Sequence, residues 1–122
     1  MMNKMLLLST TYFIVNTKLC KELGFREGVY LSALIEEQED ALSTCNVIRV
    51  DNKEYFTISR ARVLDRTSIS RESQRKLQVK LFERGILETF RTGKSNYHHI
   101  NYDAIERILL KLILEEDTKC LE

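Results

Sequence analysis

The segment TSISRESQRKLQVKLFERGIL, residues 67–87, contains the strongest helix signals of the chain. Lys or Arg stands at positions 71, 75, 76, 80 and 84, behind Ser70 and ahead of Gly85. Serine is a good helix N-cap and glycine a good helix terminator, so we predict a helix over residues 71–84. Ser59 can cap a shorter helix over residues 60–66. Two short helices separated by about four residues form a helix-turn-helix.

The segment before this pair begins with an apolar, β-prone run. The run YFIV, residues 12–15, predicts an edge strand of a small sheet. Asn16 is placed to cap a short helix over residues 17–23, and Gly24 is placed to end it in a left-handed conformation.

A longer helix and a hairpin follow. From residue 26 the apolar residues fall on one helical stripe, which consists of Val29, Tyr30, Ala33 and Leu34. We expect its acidic end, with Glu36, Glu37 and Glu39, to lie in solvent. Apolar and polar residues alternate on both sides of Asp51-Asn52, which predicts paired strands over residues 47–50 and 54–57.

A wing and a terminal helix complete the predicted chain. ILETFRT, the turn GKSN and YHHINY predict a two-stranded ribbon with Lys94 at its tip. From residue 103 the tail is helical, with one broad apolar face made of Ile105, Ile108, Leu109, Leu112 and Ile113. The fold predicted is an α+β winged helix-turn-helix with extra amino-terminal helices, a β-hairpin wing and a carboxyl-terminal helix. We expect one domain over residues 1–122, with residues 1–11 disordered or in an edge strand and residues 103–116 in the terminal helix.

Four pieces of the sequence, in this order, resemble a known family. They are IVNTKLCKELGFREGVYLSALI, VDNKEYFTIS, SISRESQRKLQVKLFERGIL and NYHHINYDAIERI. Their order and spacing resemble the amino-terminal winged-helix domain of replication-initiation and DnaD-type primosomal proteins from phages, plasmids and Gram-positive bacteria. The resemblance implies a DNA-binding protein of replication initiation, with replication proteins as further partners.

Charge is segregated along the chain. Residues 57–99 hold ten Lys/Arg and four Asp/Glu, a net +6, whereas the remaining residues carry a net −5. A positive field confined to the helix-turn-helix and wing favours a double-stranded DNA partner, and the alternative is a surface asymmetry without a ligand.

Candidate DNA contacts follow from the geometry of a helix in the major groove, where the first turns meet the base edges. We predict base-edge contacts for Arg71, Arg75 and Lys76. Phosphate contacts are predicted for Arg60, Ser70, Ser73 and Lys80, and backbone or minor-groove contacts for Arg91 and Lys94. Gln74 and Gln78 fall in the apolar arc of the helix, where they either pack against the preceding helix or read adenine.

Enzymatic and metal-binding motifs are not found in the sequence, so we expect neither catalysis nor a cofactor or metal. His98 and His99 are adjacent on a predicted strand, point to opposite faces and cannot share a metal; we expect one half-buried and one solvated. Cys20, Cys45 and Cys120 are scattered, with no C-x-x-C pair, and we interpret them as reduced packing residues of a cytoplasmic protein. No apolar run approaches the roughly 18 residues that cross a bilayer, so no membrane association is expected.

Two functions of different classes remain open at this stage. The first is a DNA-binding protein of replication initiation or a small transcriptional regulator. The apolar face of its terminal helix either pairs two copies as a homodimer or covers the monomer's own core; the dimerisation residues would be Ile105, Ile108, Leu109, Leu112 and Ile113. The second is a winged helix used for protein contact, in which the basic arc docks an acidic partner or the chain self-associates. Phosphate binding releases counterions, so salt dependence separates the two.

Overall fold

The computed structural model describes residues 14–121 and the side chains of residues 14–115. That part of the chain contains five helices and two antiparallel hairpins. In order, the elements are α1 Thr17–Leu23, α2 Phe25–Ser43, β1 Ile48–Val50, β2 Lys53–Tyr55, α3 Arg60–Thr67, α4 Arg71–Glu83, β3 Leu87–Thr92, β4 Ser95–Ile100 and α5 Tyr102–Leu121. This is the predicted α+β winged helix, with a β-hairpin wing and a carboxyl-terminal helix.

Helix α1 begins and ends where the sequence predicts. The Asn16 Oδ1 atom accepts hydrogen bonds from the backbone N–H groups of Lys18 and Leu19, at 3.0 and 3.2 Å. Gly24 ends the helix with φ 110° and ψ 155°, an extended left-handed conformation that L side chains rarely adopt. The edge strand predicted at residues 12–15 lies partly outside the described residues, and residues 14 and 15 have no regular secondary structure.

Helices α1 and α2 pack closely at Gly28. A Cβ atom built at Gly28 would lie 2.6 Å from the Cα atom of Cys20 and 2.5 Å from its Sγ atom, so only glycine permits this approach. Cys20 is therefore a packing thiol, as predicted. The interpretation was wrong for Cys45, which is exposed in the turn after α2 at φ 57°.

Helix α2 carries most of the core. Tyr30, Ala33 and Leu34 are buried, as their spacing predicts, but the expectation of a solvated acidic end was wrong for Glu37, whose exposure is 1%. Glu37 continues the buried stripe one turn beyond Ala33 and Leu34. The core around α2 collects residues from every layer of the fold: Leu19, Leu31, Phe56, Val63, Leu77, Leu81, Ile86, Leu87, Ile100 and Ile105.

The two hairpins close on tight turns and are joined by one additional pairing. Asp51 and Asn52 have φ values of 51° and 64°, as a two-residue hairpin turn requires, and Gly93 has φ 60° at the wing tip. Phe56 and His98 exchange two backbone hydrogen bonds, of 2.9 and 2.8 Å. The chain after β2 therefore adds a third strand-like segment to the wing, which the sequence predicted as a two-stranded ribbon only.

Helix α5 covers the core with its first half. Ile105 is buried, and Ile108 and Leu109 pack partly against the core. Leu112 is half-buried, while Ile113 is 42% exposed. Within residues 14–121, no helix combines the length and apolar character needed to cross a bilayer.

Candidate nucleic-acid interface

Helix α4 presents one face to the core and the opposite face to solvent. Ser70 caps it, since its Oγ atom accepts from the Ser73 N–H at 3.2 Å. Gly85, at φ 73°, reverses the chain at the other end, where the Ile86 N–H bonds the Leu81 carbonyl at 3.0 Å. Buried Leu77 and Leu81 anchor the helix to the core. Buried Gln74 also faces the interior, whereas Arg71, Glu72, Arg75, Lys76 and Val79 lie on the exposed side of the helix.

Three cations on α4 are exposed and unpaired. Arg71, Arg75 and Lys76 are all exposed, and their side chains make no hydrogen bond or ion pair with residues 14–115. These are the residues predicted to meet base edges, and they occupy the amino-terminal half of the helix. Because no acid among residues 14–115 pairs with them, their charge and donor capacity face solvent.

Two arginines of the basic segment are committed to the fold instead. Arg62 donates to both carboxylate oxygens of Glu37, at 3.1 and 2.8 Å. Arg66 contacts Glu37 at 3.4 Å and Asp40 at 2.8 Å. The Glu37 side chain has 0% exposure, so these arginines compensate a buried charge and tie α3 to α2. The net charge of the segment therefore overstates the field available to DNA.

Two predicted phosphate contacts are also engaged within the protein. Arg60 donates to the Gln78 Oε1 atom at 3.0 Å and to the Arg71 carbonyl at 3.3 Å. Lys80 pairs with Glu27 at 3.0 Å. Burial alone would raise the pKa of Glu27, but its own backbone N–H and the Lys80 ammonium outweigh this effect and lower the pKa. The roles of Arg60 and Lys80 in phosphate binding stay predictions.

The two serines at the start of α4 bond to each other. The Ser70 Oγ atom donates to the Ser73 Oγ atom at 3.0 Å, in addition to its capping bond. Ser70 is exposed and Ser73 half-buried. Their hydroxyls lie at the positive end of the helix dipole, where a phosphate contact is favourable.

Gln74 packs inside the helix-turn-helix. Its exposure is 0%, and its Nε2 atom donates to the carbonyls of Arg60 and Ile69, both at 3.0 Å. Of the two alternatives for this residue, packing against α3 is correct and base reading is not possible. Its Oε1 atom is buried without a hydrogen-bond partner among the described residues.

Gln78 and His98 connect α4 to the wing. The Gln78 Nε2 atom lies 3.2 Å from the His98 Nδ1 atom, which also lies 3.0 Å from the Thr89 Oγ1 atom. Burial, with the nearby Arg60 charge, lowers the pKa of His98 to about 4, so the imidazole is neutral at pH 7. Arg60 donates to Gln78, and Gln78 contacts His98. The contact that fixes the wing against the helix-turn-helix is therefore a polar one between two uncharged side chains.

The wing adds two further unpaired cations. Arg91 stands opposite Asn96, two residues along β3 from Thr89, so it shares the face that meets α4. Lys94 lies at the tip, beside Gly93. Both are exposed and have no side-chain partner in residues 14–115. A polar cleft of about 230 Å³ lies between the β4 strand of the wing, the segment of residues 57–60 and Gln78 of α4.

His99 faces the other side of the wing sheet, as strand alternation predicts. Its Nδ1 atom lies 2.9 Å from the Glu54 carbonyl, and its ring is 5.5 Å from Tyr55. His98 is buried and His99 half-buried, so both are less exposed than expected. Among residues 14–115, no group of three His, Cys, Asp or Glu side chains is arranged to hold a metal ion.

Two carboxylates interrupt the outer face of α4. Glu72 and Glu83 are exposed and lack an ion-pair partner among residues 14–115. Against the five unpaired cations of α4 and the wing they leave a net positive surface.

Comparison with protein-family models and with curated proteins gives no match. Among solved structures, the chain is similar to one described as the N-terminal domain of a DNA binding protein. The TM-score is 0.59 at 15% sequence identity, with 97% of this chain and 95% of that chain covered. At this identity the likeness shows that the two chains share a fold.

Proposed function

We propose that this protein binds double-stranded DNA, with α4 in the major groove and the wing on the adjacent backbone. The observation that carries the proposal is the distribution of unpaired charge. Half of the ten Lys/Arg in residues 57–99 bond to other parts of the protein, and the other half converge on α4 and the wing: Arg71, Arg75, Lys76, Arg91 and Lys94. The major groove admits a helix, and cations on both sides of it match the two phosphate backbones.

The structural neighbour supports the same proposal, since it is described as part of a DNA binding protein and aligns over nearly the whole chain. The resemblance to primosomal proteins favours a role in replication initiation over one in transcription, with replication proteins as partners in the cytoplasm. Mapping the bound sites in cells tests this role. Sites at a replication origin support it, and sites confined to promoters contradict it.

The binding itself is tested by selection from random duplexes at a stated salt concentration, followed by titration of the selected duplex. Arg75→Ala and Lys76→Ala should each weaken binding about 5- to 150-fold, because each removes a charged contact worth ~1 to 3 kcal/mol. Neither should change the melting temperature, because exposed charges contribute little to folding. A loss of stability without a loss of binding would refute the groove assignment.

We further propose that two copies bind together through the second half of α5. A single winged helix covers a short site, and two-fold pairing would present two copies of α4 to an inverted repeat. Ile105, Ile108 and Leu109 face the core of their own chain, which leaves Ile113 of the predicted face, at 42% exposure, and the neighbouring Leu110, at 49% exposure, for the partner. Sedimentation of the intact chain and of a Leu112→Glu, Ile113→Glu variant tests this. A 14.4 kDa species for the intact chain at micromolar concentration contradicts the dimer.

A further inference from the structure

Two apolar side chains of α4, Val79 and Phe82, are exposed, and Val79 is the one that lies among the cations. Val79 is 52% exposed. It lies about 160° around the helix from both Leu77 and Leu81, the residues that anchor α4 to the core. A β-branched residue also has a lower helix propensity than Lys, Glu or Gln. Neither core packing nor helix formation therefore accounts for a valine at this position.

The neighbours of Val79 on the helix surface are two of the unpaired cations. Arg75 and Lys76 precede it by four and three residues, so they lie one turn away on the same face, one on each side. Along the helix axis Val79 is about 6 Å from Arg75. A partner that both cations bind must therefore also lie against Val79.

This partner has to combine negative charge with a small apolar group. The major groove of duplex DNA offers both, because phosphates line it and the 5-methyl group of thymine is the apolar group on its base edges. We propose that Val79 contacts a thymine methyl and makes α4 selective for thymine. The inference rests on the proposed function and adds a specificity-determining residue to it. Since base pairs are spaced about 3.4 Å apart, this thymine lies within about two base pairs of the one that Arg75 contacts.

Phe82 provides a matched control on the same helix. It is 59% exposed and follows Val79 by three residues. It lies in the last turn of α4, beside buried Leu81. The Leu81 carbonyl accepts a hydrogen bond from the Ile86 N–H, which holds this end of the helix against the core. In a winged helix the amino-terminal turns enter the groove and the carboxyl end stays with the core. Phe82 is therefore not expected to meet the bases.

The test uses the full chain and the duplex selected from a random library. Each thymine of that duplex is replaced in turn by uracil, which differs only in lacking the methyl group. The affinity of the wild-type protein should fall about fourfold at one position per half-site, equivalent to ~0.8 kcal/mol for one buried methyl. Val79→Ser should bind the thymine and uracil duplexes equally, whereas Phe82→Ala should keep the wild-type ratio. Arg75→Ala should weaken binding to both duplexes and also keep the ratio.

The outcomes separate this inference from the DNA interface itself. The assignment of Val79 is overturned if the selected site contains no thymine, if no uracil substitution weakens binding, or if Val79→Ser retains the discrimination. It is also overturned if Phe82→Ala abolishes the discrimination instead. If the wild-type chain binds no duplex, the interface proposed above is wrong. Because Val79 is exposed, unchanged melting of Val79→Ser confirms that the comparison is between folded proteins.

Discussion

Removal of the Arg62 side chain should destabilise the protein even though Arg62 lies on its surface. The Arg62 side chain is 59% exposed, whereas the Glu37 carboxylate that it binds has no exposure. In Arg62→Ala, Glu37 loses its two shortest hydrogen bonds, of 3.1 and 2.8 Å, and keeps the 3.4 Å contact with Arg66. Leaving a buried charge without its main partner costs roughly 3 to 5 kcal/mol, and the remaining Arg66 places the expected loss near the lower value.

The expected loss corresponds to a large change in melting temperature. For a chain of this length, a loss of 1 kcal/mol in the free energy of unfolding lowers the melting temperature by about 4 °C. A loss of about 3 kcal/mol should therefore lower the melting temperature of Arg62→Ala by about 12 °C. Thermal unfolding followed by circular dichroism measures it. Arg71→Ala is the matched control, because Arg71 is an exposed arginine with no side-chain partner in the described residues, and its melting temperature should change by no more than a degree or two.

A second substitution tests whether the cause is the buried charge. Glu37→Gln in the Arg62→Ala background replaces the stranded carboxylate by a neutral amide, so the double variant should be more stable than Arg62→Ala alone. The reasoning is refuted if Arg62→Ala melts like Arg71→Ala, or if the second substitution lowers stability further.

Three further predictions concern the packing of α4. Gln74→Glu should lower the free energy of unfolding by several kcal/mol, because a buried carboxylate replaces the amide donor that faces two carbonyl oxygens. Denaturant unfolding measures this loss. If Gln74 were an exposed, base-reading residue, the substitution would leave the stability unchanged. His98 has a pKa of about 4 in the folded chain, below the ordinary value of 6.5, so the unfolded chain binds more protons between these values and stability falls as the pH decreases through that window. The stability difference between wild type and His98→Asn should therefore shift by up to about 3 kcal/mol between pH 7 and pH 4, and a pH-independent difference contradicts the burial of a neutral imidazole. Leu77→Ala and Leu81→Ala should each cost roughly 2 to 5 kcal/mol without altering the salt dependence of DNA binding; a benign result at both sites means that α4 is rotated about its axis.

The sequence predicts most of the local structure because local signals specify it. Asn16, Ser59 and Ser70 cap the helices for which their side chains are suited, and Asp51-Asn52 makes the hairpin turn. The exposed, unpaired trio on α4 is likewise where the charge pattern places it. For the caps and the turn, the groups that interact lie within a few residues of one another along the chain.

The errors arise where the partner is distant in the sequence. Glu37 lies in the apolar stripe of α2, but its charge predicts that the side chain is exposed to solvent. Arg62, which compensates the buried charge, is 25 residues away in the sequence. Phe56 and His98 pair across more than 40 residues, so neither hairpin pattern reveals the bridge. The same limit applies to the charge of residues 57–99, because pairing with α1 and α2 neutralises part of it.

The salt dependence of DNA affinity measures how many phosphates the protein neutralises. Each unpaired cation that neutralises a phosphate should contribute about −0.9 to the slope of the logarithm of the association constant against the logarithm of salt concentration. The slope per bound chain should therefore lie between about −1.8, if only Arg91 and Lys94 contact phosphates, and about −4.5, if all five cations do. Lys94→Ala should reduce the magnitude of that slope by about 0.9. Lys53 is an exposed lysine of the β1–β2 hairpin that pairs with Glu88 of β3, so Lys53→Ala should leave the slope unchanged. A slope near zero, or equal losses in the two variants, would contradict the assignment of DNA binding to α4 and the wing.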